Sequence, residues 1–177
     1  MSKLEKFLKH GNVKLVMRHL LKLKKPELVA MALEHESAWT RIRAKKLIAR
    51  MGTKGEALAL KLLHSKNPLV VAGAIDTLSI YPRPKNALQI AEVGLRHPEV
   101  WVRSAAVLAL PQFGNPKVLP LWHEAMQKEP NGRLRKEMQD FEKALRFGPE
   151  MIGARTRAAF RTPRRVFHKI FEPEPKD

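Results

Sequence analysis

The stretch HPEVWVRSAAVLALPQFG, residues 97–114, reads as one bounded helix. Pro98 sits in a first turn, where a missing N–H is tolerated, and Gly114 follows the last apolar residue, where a left-handed cap falls. Between these ends Val102, Ala105, Ala106, Ala109, Leu110 and Phe113 recur at three- and four-residue spacing, and Val100, Trp101, Val107 and Leu108 make much of the remaining surface apolar. A helix that apolar needs cover on more than one side, so Ala106 and Leu108 are both expected in the core. Its short form is V-R-x-x-A-x-x-A-L, carried by Val102, Arg103, Ala106, Ala109 and Leu110.

Working outward, the same form recurs upstream, at an offset of 32, as Val70, Val71, Ala74, Thr77 and Leu78. A further step of 30 reaches Thr40, Arg41, Ala44, Leu47 and Ile48, and one of 27 reaches Val13, Lys14, Met17, Leu20 and Leu21. A step forward of 32 gives Leu134, Arg135, Met138 and Phe141, with Glu142 where Leu should stand. After the copies, GTKGEAL from Gly52, PRPKNAL from Pro82 and GNPKVLPL from Gly114 each supply a turn and a new apolar run. A period of about 31, with two helices per unit, describes a stacked helical array.

Over about residues 12–147 the chain resembles the HEAT repeat family, in the short form of the HEAT-like repeats of phycobilisome lyases. The resemblance implies that the V-R-x-x-A-x-x-A-L helix is the second of each pair and lines a concave face. The period is shorter than the ~40–47 residues usual for HEAT and armadillo repeats. The Asp that commonly precedes this helix in the family is replaced by Glu36, Asn67, His97 and Asn131 near the equivalent places. The expected fold is all-α: a right-handed α-solenoid of about five HEAT-like helix pairs over residues 1–148, with a basic C-terminal capping or extension segment over 149–177.

In chain order, helices are expected near 3–9, 12–23, 27–35, 38–50, 56–64, 68–80, 86–96, 98–112, 117–127 and 133–147, joined by short connections. Asn67-Pro68 offers an N-cap followed by proline at the first helical position, and Asn131-Gly132 and Gly148-Pro149 signal turns. No apolar run approaches the ~20 residues that cross a bilayer, the longest being about 69–75. The Lys-rich start lacks the apolar core and cleavage site of a signal peptide. The absence of cysteine excludes a disulfide framework, a thiol nucleophile and a zinc-thiolate site. A cytoplasmic protein is expected.

Charge is the strongest functional signal: 34 Lys and Arg face 17 Asp and Glu, a net of +17. Such an excess favours nucleic acid, an anionic membrane surface or an acidic protein as partner. Residues 1–25 hold eight basic residues against Glu5 alone, and residues 151–171 hold six and no acid. Within the array the repeat Arg position reads Lys14, Arg41, Val71, Arg103 and Arg135. On helices ~8–10 Å apart, about one Debye length at physiological salt, these charges would act together on a polyanion. Set beside this is a structural role, because in the resembling family that Arg often bonds acids within the stack. Arg18, Lys22, Lys45, Lys46 and Lys136 fall near the same face, where a solvated charged surface explains them equally well.

The tail interleaves Arg155, Arg157, Arg161, Arg164, Arg165 and Lys169 with Phe160, Phe167 and Phe171, a composition that can neutralise phosphates and stack on bases. Its apolar residues fit a cap over the last repeat, with the arginines outward. Trp39 and Trp101, two periods apart, read as packing residues.

The HEAT-like family also includes alkylpurine DNA glycosylases, whose basic concave face carries aromatics and a catalytic Asp. Asp76 is the one acid inside a central second helix here, but Ala72 and Ile80 flank it one turn away, so it reads as an exposed or paired helix residue. The seven histidines show no metal-ligand spacing, and no phosphate loop, nucleophile elbow or H-E-x-x-H occurs. The expected function is therefore non-enzymatic and without cofactor: docking on RNA or DNA within a nucleoprotein complex. A protein–protein adaptor for an acidic partner is the alternative, and a glycosylase relative the third.

Overall fold

The structure, a computed structural model, describes residues 29–147 apart from residue 36. The helices expected at 3–9 and 12–23, the boundary at 148, and the roles assigned to Lys14, Arg18, Lys22, Arg155, Arg157, Arg161, Arg164, Arg165 and Lys169 lie outside the described residues. Among the described residues all regular structure is helical. After a helical stub and a 3-10 turn at Met31–Glu34 come α1 (Ala38–Arg50), α2 (Thr53–Leu62), α3 (Pro68–Ile80), α4 (Ala87–Gly94), α5 (Val100–Ala109), α6 (Leu119–Lys128) and α7 (Gly132–Phe147). None of these helices is long and apolar enough to cross a membrane.

The bounds of α1 and α3 are those the sequence predicts. At α3 the reason is local: Asn67 Oδ1 accepts from Leu69 N at 3.0 Å, and Pro68 occupies the first helical position with its fixed φ. The helix expected over 98–112 differs at both ends. Pro98 stays outside it, α5 starting at Val100 with Glu99 as N-cap, and the last turn tightens into a 3-10 helix at Leu110–Phe113. Pro111 has no N–H for the carbonyl four residues back, so the α-helical ladder cannot continue through it. Gly114 then takes the expected left-handed conformation (φ 59°, ψ 34°) and ends the segment. Proline also shapes the starts of α4 and α6, each entered through a 3-10 turn, Pro84–Asn86 and Pro116–Val118.

Alternate helices pack on one another in sequence: α1 on α3, α3 on α5, α5 on α7. The intervening helices lie beside them, α2 against α1 and α3, α4 against α3, α5 and α6, and α6 against α7. In the middle of this order α3 is covered on nearly every side, with Val70 through Ile75, Thr77 and Leu78 buried, which is why its sequence is so uniformly apolar. One apolar cluster runs from Ala59 to Leu145, and a smaller one gathers Val29, Ala32, Leu33, Ala44, Ile48 and Val70; Leu62 packs against both. Trp122 is fully buried in the larger cluster and donates its indole N–H to the Met138 carbonyl at 3.2 Å, joining α6 to α7. Truncating such a side chain to alanine costs about 3–5 kcal/mol.

On α5 the core falls differently from the sequence expectation for one of two residues. Ala106 is fully buried, whereas Leu108 is only half-buried and Leu110 fills the core place. The hairpin between α1 and α2 is closed by Gly55, where an added Cβ would stand 1.8 Å from the Ile48 carbonyl oxygen. Only glycine allows the two backbones that approach.

Candidate functional site

Each described copy of the repeat opens with the same hydrogen-bonded bracket, built from different side chains. His35, Ser65, His97 and Glu129 follow one another at offsets of 30, 32 and 32. His35 Nδ1 accepts from Ser37 N at 2.9 Å, Ser65 Oγ from Asn67 N at 3.1 Å, His97 Nδ1 from Glu99 N at 3.1 Å, and Glu129 Oε1 from Asn131 N at 3.0 Å. A side chain accepting from the N–H two residues on folds the chain into a tight turn just ahead of a helix. The histidines can do this only through an unprotonated Nδ1.

Six residues after each bracket comes the repeat Arg position, and its guanidinium closes on the bracket from the helix side. Arg41 donates to the His35 carbonyl at 2.6 Å, Arg103 to the His97 carbonyl at 2.9 Å, and Arg135 to the Glu129 carbonyl at 2.7 and 3.1 Å. In the remaining copy the position is Val71, buried in the core. Of the roles weighed for Arg41, Arg103 and Arg135, the geometry supplies the structural one: their N–H groups serve carbonyls that the turn leaves without partners.

Arg103 does more. It also donates to the Pro98 carbonyl at 2.7 Å and grips both Glu129 oxygens at 2.7 and 2.9 Å, so the bracket of one repeat is tied to the helix of the repeat before it. Glu129 is only 4% exposed. Burial pushes its carboxyl up, but the Arg103 hydrogen bonds, the Asn131 N–H and the charges of Arg103 and Arg135 outweigh this and hold it below the usual carboxylate value. The Glu129 hydrogen bonds raise Arg103 against the opposing effect of burial. Arg41, with no acid in the matching place, is lowered by burial. His97 is lowered by burial too, against the opposing influence of Glu99.

The other cations expected on one face separate. Lys45 reaches across to Asp76 at 2.5 Å, an ion pair that links α1 to α3 and occupies the acid considered for glycosylase chemistry. Lys46 is exposed on α1, and the structure sets Arg43 and Arg50 beside it at three- and four-residue spacing. None of these three has an ion pair among the described residues. Helical spacing around Lys46 is the signal that picks out Arg43 and Arg50. The stripe does not extend along the array, because the register place of Lys46 is Asp76 on α3, Leu108 on α5 and Asp140 on α7. Lys136 holds the register place of Ser104, which is buried in α5; on α7 that place is exposed. Among the described residues the cationic line read from the sequence is thus resolved into clamps on backbone carbonyls at Arg41, Arg103 and Arg135, the Lys45–Asp76 pair, and exposed cations on α1 and at Lys136.

Next to that face lies an open cleft of about 450 Å³ between the C-terminal ends of α1 and α3, lined by Ala49, Arg50, Gly52, Glu56, Thr77, Leu78, Tyr81, Arg83 and Asn86. Glu56 is fixed in its wall: Asn86 Nδ2 donates to Oε1 at 2.8 Å, Arg83 Nη1 lies 2.8 Å from Oε2, and Lys85 Nζ lies 3.3 Å from Oε1. The Asn86 hydrogen bond, with Lys85 and Arg83, holds its carboxyl below the usual range. Among the described residues no group of three or more His, Cys, Asp or Glu could hold a metal ion.

No protein-family model matches this chain, and no curated protein is found to be similar to it.

Proposed function

We propose that this chain is a non-enzymatic helical-repeat protein of HEAT-like kind that docks on RNA or DNA, within a nucleoprotein complex of the cytoplasm, chiefly through phosphate contacts. In this reading residues 1–148 form a right-handed α-solenoid and 149–177 a basic cap or extension. The alternate-helix packing order and the bracket recurring at offsets of 30 to 32 support the array. The observation that carries the binding reading is the charge: +17 overall, with residues 29–147 still holding 19 Lys and Arg against 11 Asp and Glu. On α1 that excess is displayed rather than consumed, since Arg43, Lys46 and Arg50 are exposed and have no ion pair among the described residues. Nucleic acid takes up such a surface by counterion release, each neutralised phosphate adding roughly 0.7–0.9 to the salt slope.

The test is a binding titration against single-stranded and duplex oligonucleotides at two salt concentrations. Binding to at least one of them that weakens steeply with salt is expected, and no detectable binding to either at low salt overturns the reading. The commitment of Arg41, Arg103 and Arg135 to internal carbonyls favours a second reading, an adaptor for an acidic protein, because it removes cations from the line that would contact phosphates. Binding to a protein partner that survives high salt would mark that alternative.

A further inference from the structure

The cleft between the ends of α1 and α3 is left over once the brackets, the ion pairs and the core are accounted for. It is bordered by an aromatic ring that is mostly exposed. Tyr81 is the only tyrosine of the chain and is 62% exposed; it takes the C-cap position of α3 (φ −131°, ψ 77°). Its neighbour Ile80 is exposed as well. A large ring held in water beside a cavity is informative in a way that a scattered surface apolar residue is not.

The charge around the ring is arranged rather than diffuse. Arg83 is anchored through Nη1 on Glu56, yet 48% of its side chain remains exposed, and a guanidinium carries five N–H donors. Arg50 comes from the opposite wall and has no ion pair among the described residues. Lys85, outside the lining, adds a further cation 3.3 Å from Glu56 Oε1, so the one carboxylate of the wall is already satisfied by Asn86, Arg83 and Lys85. The lining therefore offers an anion two arginines against one carboxylate that is already paired, next to an exposed ring. Its volume of about 450 Å³ falls within the ~300–1,000 Å³ of small-ligand clefts.

We propose that this cleft seats one nucleotide of a single-stranded nucleic acid, Tyr81 stacking on the base while Arg50 and Arg83 flank its phosphodiester. The proposal rests on the nucleic-acid reading above and narrows it. A ring at the rim of a cleft needs an unstacked base, which single strands offer and a duplex does not. An acidic peptide would satisfy the arginines but leave the ring without a partner. The stripe of Arg43, Lys46 and Arg50 on α1 leads into the cleft and gives the flanking phosphates a track.

The experiment uses the full chain and a fluorescein-labelled oligo(dT), its duplex with oligo(dA), a base-free deoxyribose-phosphate chain of the same length, and poly-glutamate of equal charge as competitor. Tyr81→Ser is expected to weaken oligo(dT) binding by about 5- to 150-fold with an unchanged salt slope, the range of one lost base stack. Tyr81→Phe keeps the affinity. Arg50→Gln lowers the slope by roughly 0.7. Duplex and base-free chain bind the Tyr81→Ser variant as they bind the wild type. Because Tyr81 is exposed, its variants keep the wild-type melting temperature, and ultraviolet crosslinking of oligo(dT) to Tyr81 in the unaltered protein provides a readout free of any variant. If the wild type binds no nucleic acid, the broader reading falls and this one with it. If it binds oligo(dT) but Tyr81→Ser binds equally well and Tyr81 does not crosslink, the cleft is not the seat while the broader reading stands. Equal competition by poly-glutamate overturns the proposal.

Discussion

Replacing Arg103 with methionine removes a guanidinium that makes four hydrogen bonds, two to Glu129 and one each to the His97 and Pro98 carbonyls. The larger effect falls on what is left behind. Glu129 is 4% exposed and would keep only the Asn131 N–H and the charge of Arg135 to balance its own. Stranding one member of a buried pair costs about 3–5 kcal/mol, and for a domain of this size each kcal/mol moves the melting temperature by ~2–4 °C. A fall of roughly 6–20 °C is therefore expected from Arg103→Met. The double variant Arg103→Met/Glu129→Met should recover part of it, because no buried charge remains, though the bracket at Asn131 is lost. Thermal melts of the wild type, Arg103→Met, Glu129→Met and the double variant form a complete cycle. Acid provides an independent check. Since the folded carboxyl of Glu129 titrates below its usual value of 4.5, its contribution is fully present above that pH and lost as pH falls through the folded value. The wild type should thus lose stability more steeply below about pH 4.5 than Glu129→Gln does. A melting temperature for Arg103→Met within about 2 °C of wild type, roughly the effect of under 1 kcal/mol, would refute the clamp.

Other substitutions probe separate parts of the molecule. Gly55→Ala drives a Cβ into the Ile48 carbonyl and forces α1 and α2 apart, at about 2–3 kcal/mol by chemical denaturation. On α5, Ala106→Arg should lower the melting temperature further than Leu108→Asp, because Ala106 is fully buried and Leu108 is not; the reverse order would place the core wrongly. His97→Asn keeps a side-chain acceptor but does not titrate. As the folded pKa of His97 lies below 6.5, its contribution is complete above that pH and lost as pH falls through the folded value, so the variant should show a flatter melting profile just below pH 6.5. Changing Arg43, Lys46 and Arg50 together to Gln should reduce the salt slope of oligonucleotide binding by roughly 2–3 with no change in melting temperature.

Much of the helical framework is legible from residue types alone. Asn67-Pro68 places the start of α3, Gly114 places the end of the α5 segment, and the repeat period identifies which helices are equivalent. The end of α5 is read too long because apolar spacing continues through Pro111 while the hydrogen-bond ladder does not. The bracket is hidden for a different reason. Imidazole, hydroxyl and carboxylate fill one geometric role, so His35, Ser65, His97 and Glu129 share no chemistry that a comparison of residue types could align. The repeat arginines show the converse: their spacing is visible, but only the carbonyl six residues back reveals what they hold. The cleft needs two stretches distant in sequence, 49–56 and 77–86, and Tyr81-Pro82-Arg83 reads on its own as nothing more than a turn.

The bracket closes on itself, its acceptor, its amide and its arginine all lying between His35 and Arg41 in the first described copy. Each repeat unit therefore carries its own start signal and needs no neighbour to complete it. Chains made of such units can lengthen or shorten by whole-unit duplication or deletion without rewriting the junctions, and each copy is then free to drift at its outward positions. The Arg103–Glu129 link is a departure from that independence, a specific adhesion between two adjacent copies. Inserting an extra copy between them would separate the two residues, whereas a copy inserted just ahead of Ser65 would instead part Lys45 from Asp76 and Glu56 from Asn86, leaving every bracket intact.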